Sequence, residues 1–206
     1  MEVSEKHKDA LLEIINIGIG KGANVLNQIV KHHVTLEVPS LEIFDREGLL
    51  NSLSKWTEKN YSAVEMAFKS MFSGSGLLIF PTEKASKLVQ LFVRDLRKEN
   101  DMDILNVSAL TEIGNIVINS VLSTISEEFV LEFKYSIPEY RNGEITKIIK
   151  FGEPMDQGQI VLLCKTSFKV IDLDINGTLI LIFSINTFNE LLSMIDRYYE
   201  KLFQKE

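Results

Sequence analysis

Cysteine occurs once in this 206-residue sequence, as Cys164, so no internal disulfide can form. With three histidines and no Cys/His spacing of the zinc-binding kind, a structural metal is not expected, and a reducing compartment is. Four prolines and eleven glycines are too few for collagen-like or low-complexity classes. No stretch reaches about 18 uncharged apolar residues, and the opening MEVSEKHKDA is charged where a secretory leader needs an apolar run. A cytoplasmic chain without membrane insertion is therefore expected. Positive charge is also short: 22 Lys+Arg stand against 29 Asp+Glu, for a net charge of -7. That balance argues against a broad phosphate-backbone footprint, so no nucleic-acid partner is expected.

What the sequence does contain is the composition of an ordinary globular protein, 45% hydrophobic and 25% charged. A chain of this length can bury roughly 70% of its unfolded surface. It also contains a repeat. DALLEIINIGIGKGANVLNQIV from Asp9 aligns with SALTEIGNIVINSVLSTISEEF from Ser108 at an offset of 99, pairing Glu13 with Glu112 and Asn16 with Asn115. Pro39 follows Asn16 by 23 positions, and Pro138 follows Asn115 by the same 23.

Helical recurrence predicts helices over about 5–30 and 102–127. Strands are expected in VTLEVPSLEIF, SAVEMAFKSMF and GLLIF, and in the second half in FVLEFKYSIP, EITKIIKF, IVLLCKTSFKV and LILIF, with turns at Asn142-Gly143 and Asn176-Gly177. Amphipathic helices starting at Thr82 and Asn186 close the halves. RDLRKENDMD (Arg94 to Asp103) reads as a charged connector, and DREGLLNSLSKWTEKNY as a polar excursion. The expected fold class is α+β: a pseudo-two-fold duplicated unit, with two long repeated helices and two closing helices packed on a largely antiparallel sheet. One domain, 1–206, made of pseudo-repeats of about 1–100 and 101–206, accounts best for two helices that are apolar nearly all round.

At about 100° per residue, Asp9, Glu13, Asn16, Gly20, Asn24 and Asn27 share one narrow band, and so do Ser108, Glu112, Asn115, Asn119, Ser123 and Ser126. A single polar stripe is what any helix lying on a sheet shows to water. The same Glu and Asn, adjacent on the helix surface in both copies, is more than a solvent face requires, since asparagine is a mediocre helix former. Gly18 and Gly22 fall on the buried side, where they suit close packing on the sheet, whereas Gly20 falls on the stripe beside Asn16. GIGKG lies inside a helix pattern with no strand before it, so it does not read as a phosphate loop. Cys164 sits in a strand as a core residue, and His32 and His33, adjacent in an extended segment, point to opposite faces and do not share a metal.

The doubled pattern Asp/Ser-x-x-x-Glu-x-x-Asn, 22 residues, then Pro resembles the signature of the CheC, CheX and FliY family of bacterial chemotaxis phosphatases, and a two-site, CheC-like member best. The resemblance implies hydrolysis of the phosphoaspartate of the response regulator CheY, with Mg2+ held by the regulator and no cofactor bound by this chain. Carried over by position, Asn16 and Asn115 orient the attacking water, and Glu13 and Glu112 grip a regulator lysine. Asp9 and Ser108 support the site, and Pro39 and Pro138 shape the adjoining strand. CheD is implied as a second partner, and a monomer with internal pseudo-symmetry as the assembly. The open surface at Gly20 tilts the sequence reading toward the first site, and Ile15 in place of Gly114 makes the two sites unequal. The competing reading is a non-catalytic binding or adaptor module of the chemotaxis or flagellar switch system, meeting CheD or phosphorylated CheY.

Overall fold

The computed structural model describes residues 3–30, 33–70, 73–92, 102–149, 158–170 and 173–203. Along the chain run α1 (Glu5–Val30), β1 (Val34–Phe44), α2 (Arg46–Leu53), β2 (Tyr61–Lys69), β3 (Ser73–Pro81), α3 (Thr82–Phe92), α4 (Met102–Phe129), β4 (Lys134–Tyr135), β5 (Glu139–Gly143), α5 (Ile145–Ile148), β6 (Gln159–Val170), β7 (Leu173–Ser184) and α6 (Ile185–Phe203). Among the described residues, six helices and one mixed-length sheet of seven strands make the class α+β, as expected.

Every described strand pairing is antiparallel, in the order β1-β6-β7-β3-β2, with β4 and β5 both on the outer side of β2. Exchanging the halves turns β1 into β4 and β5, β2 into β6, and β3 into β7, and so reverses this order onto itself. The central pair is β3–β7, with Leu78 opposite Leu179. The first strand of each half pairs with the second strand of the other, β1 with β6 and β5 with β2. The halves are therefore interlocked through one sheet.

The sheet is buried on both faces, which explains strands that read as continuous apolar runs. Along β6, Leu162 and Cys164 face the core under the long helices, while Val161 and Leu163 face a second core under α2 and α5. The first core holds Leu11, Ile15 and Ile19 of α1, Ile113, Val117 and Val121 of α4, and the rings of Phe68, Phe80 and Phe168. Ile104–Phe129 is long and apolar enough to cross a membrane by length and composition alone. Its buried face, however, packs on α1 and the sheet.

Several local expectations are corrected. EITKIIKF contains the helix α5 rather than a strand: Ile145, Ile148 and Ile149 are buried together, an i, i+3, i+4 face that outweighs their β-branched preference. FVLEFKYSIP yields only the two-residue β4, because α4 continues to Phe129 and stops where Val130 takes φ +54° and Leu131 N–H donates to Ser126 O at 2.8 Å. Asn176-Gly177 lies inside β7, where the Phe80 ring sits 2.5 Å from the point a Cβ of Gly177 would occupy. Asn142-Gly143 ends β5 rather than linking two strands of a hairpin. The polar excursion contains α2, opened by Asp45, whose carboxylate accepts from Gly48 N–H at 2.8 Å. Most of the connector Arg94 to Asp103, from 94 to 101, lies outside the described residues, and Met102 and Asp103 belong to α4.

Candidate functional site

The two repeated helices lie against each other. A Cβ at Gly18 would stand 2.6 Å from Val121 Cα, and one at Gly22 would stand 3.5 Å from Val117 Cα. Later residues of α1 thus meet earlier residues of α4, so the helices run antiparallel. The repeat offset exchanges these contacts, since Gly18 corresponds to Val117 and Gly22 to Val121. These glycines serve close packing as expected, but on α4 rather than on the sheet. Gly114 is the residue that lets a repeated helix approach the sheet, with Val64 Cβ 2.4 Å from its Cβ position. Gly20 has open space around it.

The stripes face outward. Asp9, Glu13, Ser108 and Glu112 are exposed, and Asn16 and Asn115 are half-buried. Asp9 and Ser108 lie a turn or more inside their helices, and their side chains form no hydrogen bond among the described residues. Glu13 and Glu112 likewise have no ion-pair partner among the described residues, which leaves both carboxylates available to a cation brought from outside.

Asn16 is not idle. In the β1–β6 ladder Glu37 opposes Ser167 and Ser40 opposes Lys165, so Val38 and Pro39 face the single residue Thr166 as a bulge. Proline brings no N–H to such a ladder. The backbone of Val38 is taken up by the Asn16 carboxamide instead. Val38 N–H donates to Asn16 Oδ1 at 2.9 Å, and Asn16 Nδ2 donates to Val38 O at 3.0 Å and to Leu12 O at 3.1 Å. This bridge gives the Asn-to-Pro spacing a physical reason in the first repeat. Asn27, on the same stripe, accepts from Val34 N–H and ties the helix to the start of β1.

The second repeat is built differently. Asn115 Oδ1 accepts from Asn119 Nδ2 at 2.6 Å, and its own Nδ2 donates to nothing among the described residues. Pro138 separates β4 from β5, the counterpart of the interruption at Pro39. Here Ser136 holds the chain on β2, donating N–H to Ala67 O at 2.9 Å and accepting Ala67 N–H at Oγ at 3.0 Å. Ile137, placed after Asn115 as Val38 is after Asn16, is 84% exposed and makes no bond to Asn115. Asn119 was legible only as one more polar position. Its i, i+4 relation to Asn115 was the signal for an amide–amide bond.

The surroundings differ as well. Before Glu13 the first stripe carries Glu5 and Asp9, and a hollow of about 100 Å³ beside Glu13 is lined by Ile14, Ile17, Phe129, Ile195 and a second carboxylate, Glu128. Before Glu112 the second stripe carries Ile104, 63% exposed, and Ser108. Lys21 of α1 bridges to Glu127 of α4 at 2.6 Å. At the end of the pair, His7 Nε2 meets Asp196 of α6 at 2.9 Å while Ser4 N–H donates to His7 Nδ1 at 3.2 Å. A separate groove of about 690 Å³ opens on the other face of the sheet over Trp56 and Tyr61, and Pro39 is the one predicted site residue that lines it.

Cys164 is fully buried, and burial pushes its thiol far above the usual cysteine range, which leaves no thiolate nucleophile. His33 is exposed, with Nε2 3.3 Å from Thr35 Oγ1. His32 lies outside the described residues. Among the described residues no three His, Cys, Asp or Glu side chains converge as a metal-ligand set.

No protein-family model matches the chain. It is 26% identical over 144 residues to the CheY-P phosphatase CheC of Bacillus subtilis, a match covering 66% of each protein. It is also 26% identical over 148 residues to the flagellar motor switch phosphatase FliY of the same organism, covering 71% of this chain and 38% of that one. Both matches fall short of two thirds of the relative's length. In fold it is similar to Thermotoga maritima FliY, with TM-score 0.74 and 17% identity over 96% of this chain and 99% of that one. The middle domain of FliM from H. pylori gives TM-score 0.65 at 13% identity, covering 93% and 99%. The CheX–CheY–BeF3–Mg2+ complex of Borrelia burgdorferi gives TM-score 0.52 at 17% identity, covering 83% and 98%. At these identities the structural matches speak to the fold.

Proposed function

We propose that this chain, a phosphatase-like protein of the CheC/CheX/FliY family, hydrolyses the phosphoaspartyl group of a CheY-type response regulator in the cytoplasm. The observation that carries the reading is the pair of antiparallel helices, each presenting an exposed Glu and, three residues on, an Asn on the same outward face. Two copies of one outward-facing pair, on helices whose opposite faces are buried in the core, are what a site for a protein partner needs.

The chemistry suits these residue types. Hydrolysis of an acyl phosphate needs water in line with the phosphorus. The water forms the new P–O bond, the carboxylate of the regulator leaves, and a proton passes to solvent. Catalysis of such a step is mainly positioning. A neutral amide, at Asn16 or Asn115, accepts from the water without setting a negative charge against the phosphoryl oxygens. Glu13 and Glu112 offer exposed carboxylates to a lysine of the regulator. The Mg2+ belongs to the phosphorylated regulator as part of the substrate. Buried Cys164 has no part in the reaction.

A second reading, a binding or adaptor module, is favoured by one observation: the Asn16 carboxamide is engaged by its own strand. The likeness to FliM middle domains is compatible with it. Two measurements on the same samples separate the readings. A phosphatase binds CheY carrying the stable phosphoryl mimic beryllofluoride and also accelerates decay of magnesium-loaded phosphorylated CheY; an adaptor binds and leaves the decay at its spontaneous rate. CheD is proposed as a further partner, tested by calorimetric titration, where no heat at micromolar concentrations removes it. We also propose a monomer, since both halves complete one sheet within a single chain; a dimer mass in sedimentation would contradict this.

A further inference from the structure

The two repeats hold their asparagines by different means, and we propose that this divides their work: Asn115 handles the attacking water, Asn119 is its positioning residue, and Asn16 acts first as a clamp on the sheet. The inference rests on the phosphatase reading above.

An asparagine side chain has two N–H donors and two acceptor lone pairs. Asn16 gives both donors to the carbonyls of Leu12 and Val38 and one lone pair to Val38 N–H. Val38 is only 2% exposed, so withdrawing the amide toward a partner leaves a buried N–H and C=O unpaired. Asn115 has one lone pair engaged, by Asn119, and neither N–H engaged among the described residues. A group that accepts from the water while donating to a phosphoryl oxygen needs one free function of each kind. Asn115 offers both, and Asn16 offers a lone pair alone.

Asn119 supplies what an exposed amide lacks, a reason to keep its oxygen and nitrogen in one orientation. Its Nδ2 at 2.6 Å holds Asn115 Oδ1 on the Asn119 side, which leaves the second lone pair and the N–H groups without a partner among the described residues. The first repeat has Gly20 at the corresponding position, with open space and no donor. The flanking charge points the same way. Asp9 and Glu13 set two carboxylates along the first stripe beyond Glu5, which is paired with Lys8 at 2.6 Å, whereas Ile104, Ser108 and Glu112 set one along the second, and a phosphoryl dianion meets less repulsion there.

The test is steady-state hydrolysis of magnesium-loaded phosphorylated CheY by the full chain, with circular dichroism confirming each fold. Asn115→Ala removes most of kcat. Asn119→Ala lowers kcat about tenfold while KM stays within about twofold, the split expected when water is misoriented but docking is intact. Asn119→Gln, which keeps a donor, recovers part of the loss. In the Asn115→Ala background, Asn119→Ala has no further effect, because one residue acts through the other. A wild-type kcat in Asn119→Ala, additive losses in the double variant, or more than half the activity surviving in Asn115→Ala overturns the inference while leaving the phosphatase reading intact. A wild type that does not accelerate decay at all removes both.

Discussion

Asn16 shows how one side chain joins a motif to a fold. Its carboxamide replaces the ladder bonds lost where Val38 and Pro39 bulge from β1, so its removal strands a buried peptide group. A buried, unsatisfied backbone donor or acceptor costs about 1–3 kcal/mol. Asn16→Ala is therefore expected to lower stability by about that amount in urea titrations, and to speed hydrogen exchange at the Val38 amide. Asn115→Ala, whose partner is the half-buried Asn119, is expected to leave stability within about 0.5 kcal/mol of wild type. Equal losses in both variants would remove the distinction. At this scale the identities and spacing of the paired residues were legible in the sequence. Their partners were not, because the same Asn-to-Pro interval leads to a bulge in one repeat and to a β2-bound loop in the other.

Among the elements, the long helices and β1 were readable because periodicity and length agreed: α1 spans Glu5–Val30 and β1 spans Val34–Phe44, the ranges that their patterns imply. Misreadings came where composition and period competed. Ile145, Ile148 and Ile149 are strand-like residues at helical spacing, and burial against the sheet decides for α5. Gly177 has the composition of a turn, but it lies in β7 because Phe80 occupies its Cβ space. Helix contact gives another prediction: Gly18→Val drives a side chain into the α4 backbone at Val121 and should cost at least about 1–3 kcal/mol, read as a lowered midpoint of thermal unfolding. The end of α4 predicts the opposite sign. Val130, 92% exposed at φ +54°, pays little in lost contacts when shortened, and Val130→Gly should stabilise by about 0.5–1 kcal/mol once the added unfolded-state freedom of glycine is counted.

At the scale of the whole molecule, the repeat announced two related halves, but no single-sequence pattern specified that each half lends its first strand to the other. That exchange follows from tertiary pairing, β1 with β6 and β5 with β2. It predicts that fragments 1–100 and 101–206 do not fold separately, and that they recover the far-ultraviolet spectrum of the intact chain when mixed; cooperative unfolding of either fragment alone would contradict the interlocked sheet. The net charge of -7 gives no long-range pull toward an acidic partner, so the proposed recognition of a response regulator is expected to rest on local contacts such as those offered by Glu13 and Glu112, with on-rates that vary weakly with salt.

The most direct measurement is the single-turnover decay of magnesium-loaded phosphorylated CheY at saturating chain, for the wild type and for Asn16→Ala/Asn115→Ala, with spontaneous decay subtracted. The account predicts acceleration by the wild type and none by a folded double variant. Equal acceleration by both proteins would contradict it, because hydrolysis would then proceed without the helix amides.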